Sequence, residues 1–249
     1  MPIQIIEKDS QATGMFDNGK IKENKPLGFP HDGGMLKPYS NLFYWANAWS
    51  DKGGLIALHP HRGFEIMSVV LQGTISHFDT SKNEWLDISE GDVQLIRAGN
   101  GISHAEKMGA DSRMFQIWFD PNLEKTWNKP ASYDFYKLEA FELNQENGYR
   151  KKILKGPAGP ISMDTEGVEI SELFFNEGKH KITLKPDAYY SFYLLEGSLK
   201  VLDQVMKPDD FMVASKELEI DIETAGNTRL FVVSNPVRLG FKTYAELNG

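Results

Sequence analysis

The chain has 249 residues, enough for one large domain or two modules, and its 41% hydrophobic and 25% charged residues are ordinary for a globular protein. A formal net charge of -8 and a pI near 5.3 argue against a surface built to neutralise nucleic-acid phosphates, which needs clustered Lys and Arg. Cysteine is absent, so disulfides and thiolate ligands are excluded, and any metal must be held by His, Asp, Glu or backbone oxygen.

Taken in chain order, the opening MPIQIIEKDS has a short apolar run followed at once by Glu7 and Lys8. It is too short and too charged for a secretory leader, so a cytoplasmic location without membrane contact is expected. The following Gly-, Lys- and Asp-rich residues, up to about position 35, predict a loop or a strand lying across a barrel mouth. From Gly54 onward, short runs rich in Val, Ile, Phe and Tyr recur between Gly, Asp, Asn and Pro. They are GLIAL, FEIMSVVLQG, GTISHF, DVQLIRAG and RMFQIWF, then GVEISELFF, KITL, YYSFYLLEG, LKVLD, DFMVA, LEIDI and RLFVVS. Such runs predict strands, and their number predicts an all-β architecture of sandwich or barrel type.

Between Asp120 and Pro160 the pattern breaks at Pro121, Pro130, Pro157 and Pro160, which predicts the connection between two modules, 1–130 and 131–249. Within it, YDFYKLEAFELNQENG is compatible with a short helix or an extended segment. The basic run Arg150-Lys151-Lys152 reads as a solvated strand start. An internal echo points to duplication: SVVLQGTISHFD (from Ser68) and FYLLEGSLKVLD (from Phe192) align without a gap around Gly73 and Gly197.

The stretch HPHRGFE, from His59 to Glu65, carries the chemistry. Side chains alternate along a strand, so His59, His61 and Glu65 share one face if the strand is unbroken, as do His104 and Glu106 in GNGISHAE. Two strands of a small barrel could thus aim up to five ligand-type side chains into one cavity. A mixed nitrogen and oxygen set suits Fe(II), Mn, Ni, Cu or Zn. His31, His77 and His180 read as surface or hydrogen-bonded residues. Gly99 and Gly101 lack the third glycine and helix start of a dinucleotide loop, and read as a tight turn into the ligand strand.

HPHRGFE, LQGTISHFD, AGNGISHAE and FQIWF together resemble the pirin family of the cupin superfamily, over residues 55 to 120. The resemblance implies two jelly-roll β-barrel modules in one chain, a bicupin, whose first module holds one divalent metal, generally iron. It implies His59, His61, His104 and Glu106 as the ligands, with Glu65 left as a neighbouring or structural residue. A family departure is Asn100, where an Arg is common. In the second module Thr183, Lys185 and Tyr189 stand where the echo places His59, His61 and Glu65, so a metal-free barrel is expected there.

Four protein ligands on an octahedral ion would leave two positions for a substrate and dioxygen. The resemblance then implies a quercetinase-type dioxygenase that opens a flavonol ring with O2. Glu106 is the expected base, Glu65 the fallback, and Phe64, Phe115 and Trp118 are candidate pocket walls. Its alternative implication is a non-catalytic metal- or redox-sensing module that binds a protein partner, as a transcriptional co-regulator or enzyme partner without direct DNA contact.

Overall fold

The computed structural model describes residues 3–248. They fall into two units: Gln11–Leu138 with Met163–Glu166 and 240–248, and Glu139–Ser162 with Gly167–Leu239 and 3–10. The division thus falls at 138/139 rather than at the expected 130/131, and both termini cross it. The physical reason at the first point is a strand, Ser132–Tyr136, that pairs along its whole length with Val93–Arg97.

The chain forms β1 (Ile3–Ile6), β2 (Ala12–Phe16), β3 (Ile21–Leu27), β4 (Leu42–Ser50), β5 (Gly54–His61) and β6 (Glu65–Gln72). There follow β7 (Thr74–Asp79), β8 (Trp85–Ser89), β9 (Val93–Arg97), β10 (Ile102–Met108), β11 (Ser112–Phe119), a short helix α1 (Leu123–Thr126) and β12 (Ser132–Tyr136). In the N-terminal unit they make a seven-stranded sheet, β12-β9-β6-β11-β4-β3-β2, and a four-stranded sheet, β5-β10-β7-β8. Ile21, Ala48, Val70 and Met114 from the first sheet and Ile56, Ile75, Ile88 and Met108 from the second pack into one core. The region up to position 35, expected to be a loop or a strand across a barrel mouth, instead supplies the hairpin β2–β3 that widens the larger sheet.

The C-terminal unit repeats this plan with β13 (Leu143–Gln145), β14 (Arg150–Lys155), β15 (Glu169–Phe175), β16 (Gly178–Thr183), β17 (Ala188–Glu196), β18 (Leu199–Val201), β19 (Gln204–Met206), β20 (Phe211–Ser215), β21 (Glu219–Thr224) and β22 (Thr228–Pro236). Its sheets run β1-β20-β17-β22-β15-β14-β13 and β16-β21-β18-β19. Strand for strand, this is the order of the N-terminal unit, with β1 in the place of β12. The echo around Gly73 and Gly197 marks equivalent turns, and both glycines have positive φ, 71° and 81°. The all-β bicupin plan is therefore present, but each module is a pair of open sheets, since among the described residues no ladder joins β12 or β2 to β5 or β8 to close the expected barrel. YDFYKLEAFELNQENG is extended, as β12 and β13 around a single 3-10 turn at Leu138–Ala140. Among the described residues no helix is long and apolar enough to cross a membrane.

Two local features are open to measurement. Gly99 has φ 47°, and a Cβ there would stand 2.3 Å from the Lys129 carbonyl oxygen. Gly99→Ala should therefore cost about 3 kcal/mol or more in urea unfolding, the left-handed strain adding to a backbone clash. Gly101→Ala meets nothing within 4 Å and should cost only the strain. At the chain's end the helix α2 (Tyr244–Asn248) is held by Asp120, whose buried Oδ2 accepts the Tyr244 backbone N–H while Oδ1 has no partner. Burial pushes the Asp120 carboxyl up to about 7; the Tyr244 bond opposes this and Glu246 adds to it. A carboxyl that binds its proton more tightly folded than unfolded stabilises the fold in its neutral form. That contribution is complete below the unfolded value of about 4 and is lost as pH rises towards 7. Asp120→Asn should unfold at higher urea than the unmodified protein at pH 7.5, by about 2 kcal/mol, with the gap closing at pH 4.

Candidate metal centre

Strand register brings the histidines together. In the four-stranded sheet β10 lies between β5 and β7, and His104 stands opposite His59 on one side and Asp79 on the other. Two residues along, Glu106 stands opposite His77, and His61 is paired at Ile102. A register shift between His104 and Glu106 accommodates the crowding. Alternation then turns His59, His61, His104, Glu106 and His77 towards the facing sheet.

The ligand atoms of His59, His61 and His104 lie within 4.8 Å of one another, and so do those of His77, His104 and Glu106. His104 is common to both sets. The four residues expected as ligands are thus drawn into two overlapping triads, and His77 joins Glu106 in the second. His77 is fully buried. The sequence placed it on the surface or in a hydrogen bond; the bond exists, to Asp79 at 3.2 Å, but the surface position does not. A lone His on an alternating strand carries no signal that separates these cases. His31 is exposed, and His180 Nε2 bonds the Asn176 carbonyl oxygen at 2.9 Å.

Hydrogen bonds set the tautomers. A carbonyl oxygen can only accept, so His59 Nδ1, 2.7 Å from Ala57 O, carries the proton and Nε2 keeps its lone pair. That Nε2 is 2.9 Å from His104 Nε2. His61 Nε2 and His104 Nδ1 are buried without a partner, as is His77 Nδ1. Burial, reinforced by the neighbouring imidazoles, lowers His61 to about 3 and His104 to about 2. Burial also lowers His77, against the pull of Glu106 and Asp79. Neutral rings with unsatisfied nitrogens are what a cation requires of its ligands.

The facing sheet holds the carboxylate. Register lines up Gln94, Ser68 and Gln116 across β9, β6 and β11. Gln116 Nε2 donates to Glu106 Oε2 at 2.8 Å, Ser68 Oγ to Oε1 at 3.3 Å, and Trp118 Nε1 in turn to Gln116 Oε1 at 3.2 Å. Glu106 is completely buried.

Glu65 is elsewhere. Gly63, with φ 84°, turns the chain between β5 and β6, so the strand is broken and Glu65 enters the other sheet. Its oxygens accept the backbone N–H groups of Asp164 at 2.8 Å and Thr165 at 2.7 Å and the Thr165 hydroxyl, with Arg97 Nε at 3.4 Å. Burial raises its carboxyl, and these bonds oppose the rise. Every oxygen is committed, which removes Glu65 as a fallback base.

Beside the imidazoles a cavity of about 720 Å³ is lined by His59, His61, Phe64, Trp118 and Gln116, with Phe29, Phe43, Tyr44, Trp127 and Tyr244 among its other walls. The rings pack on each other: Phe43 to Phe64 at 4.6 Å and His61 to Trp118 at 4.7 Å between centroids. Phe64 and Trp118 are among the residues lining this cavity. Phe115 is not. It is one residue out of phase with Gln116 and Trp118, and packs edge-on against Trp45 at 5.3 Å. Phe43 and Tyr44 were missed because β4 is buried on both faces and shows no alternation to read.

Residues 33–119 match the family model described as Pirin, the segment that contains both ligand strands. A pirin-like protein of Caulobacter vibrioides is 28% identical over 186 residues, 71% of this chain and 65% of that relative. A second curated relative, from Zymomonas mobilis, is 40% identical over 133 residues, 51% of this chain and 54% of its own length. Among solved structures, the Escherichia coli pirin YhhW in complex with nickel(II) has a TM-score of 0.78 at 16% identity, covering 94% of this chain and 99% of that one. A quercetin 2,3-dioxygenase from Acinetobacter baumannii has 0.79 at 20% identity, covering 94% and 79%. At such identities the structural likeness is one of fold. The sequence likeness to the pirin family is carried by residues 33–119, and the chain spans 65% and 54% of the length of these two curated relatives.

Proposed function

We propose that the N-terminal unit binds one divalent metal through His59, His61, His104 and Glu106, and that the chain is a metal-dependent dioxygenase of flavonol-type substrates. The observation that carries this reading is the coincidence of an imidazole triad with an aromatic cavity, since His59 and His61 belong to both. The solved quercetin 2,3-dioxygenase of the same fold supports the substrate class. Iron is the metal we assign; the nickel(II) held by the YhhW pirin accords with a nitrogen and oxygen set that selects weakly among these ions.

When bound, the metal supplies Lewis-acid and redox chemistry. The protein's part is to bind and orient. Phe43, Phe64 and Trp118 offer faces for a flat ring and exclude water from it. Glu106, buried and held by Gln116 and Ser68, is the carboxylate able to take the proton of the substrate's hydroxyl. Trp118 fixes Gln116, so the cavity wall and the base are positioned together. Oxygen uptake with a flavonol, followed by loss of the flavonol absorbance, tests the activity directly; metal-loaded protein that consumes no oxygen with a flavonol panel overturns it.

Elemental analysis should find about one metal equivalent per chain, lost in the His59→Ala, His61→Ala double variant. Full retention by that variant, or two equivalents in the unmodified protein, contradicts the assignment. Glu106 and Glu65 should separate cleanly. Glu106→Gln keeps the volume and should lower turnover by about 100-fold or more. Glu65→Gln should keep its metal yet unfold about 2 kcal/mol more easily, because a buried hydrogen-bonded charge is replaced by an amide that cannot satisfy the same donors.

A further inference from the structure

The cavity is lined by an acid, Glu23, that the chemistry above does not use. Glu23, on β3, lines the wall and is 5% exposed. Register sets it opposite Ala48, which lies opposite Met114, one inward-facing row beyond Ala46 and Gln116. Glu23 is therefore two strand spacings, about 10 Å, across the sheet from the strand that holds Glu106 in place. The residues between are Ala46 and Ala48, both cavity-lining, and their small side chains keep the space above them open.

The carboxylate is held in place. Tyr44 Oη donates to Glu23 Oε2 at 3.2 Å, and Lys25 Nζ is 3.3 Å from Oε1. Oε1 also lies over Gly14, where a Cβ would stand only 2.2 Å away; glycine at that position admits this rotamer. Lys25 is shared, since Asp32 Oδ2 is 2.9 Å from the same ammonium. Two carboxylates on one cation leave this wall with net negative charge. Burial raises the Glu23 carboxyl and Lys25 opposes the rise. The neighbouring wall is aromatic, with Phe29 4.8 Å from Tyr44 and 5.4 Å from Trp118 between centroids. An ionised carboxylate only accepts hydrogen bonds. A wall of this kind favours a flat ring with a hydroxyl hydrogen to give.

We propose that Glu23 is a specificity-determining residue that accepts a hydrogen bond from a phenolic hydroxyl at the end of the substrate remote from the imidazoles. The inference rests on the flavonol reading of the site. It adds a selection for substrates whose outer ring is hydroxylated.

Trp118 and Trp127 line the cavity, so binding to the metal-loaded protein can be followed by quenching of tryptophan fluorescence. The two ligands are quercetin and the analogue lacking its two outer-ring hydroxyls. The unmodified protein should prefer quercetin by about tenfold, the worth of one charge-assisted hydrogen bond. Glu23→Gln and Glu23→Ala should reduce that preference to within about threefold while leaving the analogue's affinity unchanged. Preference retained in both variants overturns the role of Glu23 alone. Equal weakening of both ligands in both variants also overturns it, because Glu23 would then shape the cavity without reading a hydroxyl. An unmodified protein that binds neither ligand overturns the flavonol reading, and this proposal with it.

Discussion

Imidazole nitrogens buried without partners are costly, and the N-terminal unit is organised around three such rings, those of His61, His77 and His104. With His59 they crowd the space between two sheets, where burial lowers the proton affinity of His61, His77 and His104, and neighbouring imidazoles add to this at His61 and His104. The surrounding polar groups fix orientations and leave the inward nitrogens open: Ala57 O takes one proton of His59, and Asp79 takes one of His77. Asp79 itself is buried, yet bonds from Ser81 and Lys82 and the His77 contact hold its carboxyl below the usual range. The polar row of Ser68 and Gln116 has the same logic on the other side, securing the Glu106 carboxylate. A cluster of this kind costs stability for as long as its inward nitrogens go unsatisfied.

The sequence revealed those parts of the site that depend on two-residue alternation within a single strand. His59 and His61 lie on one strand, as do His104 and Glu106, and alternation alone turns each pair inward. Where alternation is interrupted or irrelevant, the reading failed for identifiable reasons. Glu65 has the parity of His61, but the Gly63 turn intervenes and sends it to a different sheet. Phe115 sits next to Gln116 and so faces away from the cavity. His77 needs the pairing of β7 with β10 to be seen near Glu106, and no local pattern encodes a pairing partner. Of the strands, those from Gly54 onward were largely visible, whereas β4 was hidden by burial on both faces, β3 by its polar composition and β2 by the lack of any β-branched apolar run.

The two units share a strand order and differ in what fills them. β16 and β21 occupy the places of the ligand strands β5 and β10, yet turn Ile182, Ile220 and Ile222 into a continuous apolar core. That core is stabilised by burial alone, at roughly 25 cal/mol per Å² of apolar surface. The same scaffold thus appears twice, once with its centre given over to polar groups that require one another and once with the simpler solution of hydrocarbon packing.

The clasp on Glu65 bears on how such a chain is inherited. Its donors come from Asp164 and Thr165, in a four-residue stretch of the N-terminal unit that lies in sequence among residues of the C-terminal unit. The strand β1, at the very start of the chain, is meanwhile hydrogen-bonded to β20. Neither module is encoded by an uninterrupted stretch of gene. Whatever ancestor carried a single module, recombination at the midpoint of the present gene would deliver two incomplete halves, one with a bare buried carboxylate and the other with an uncovered sheet edge. Neither half would hold a whole module.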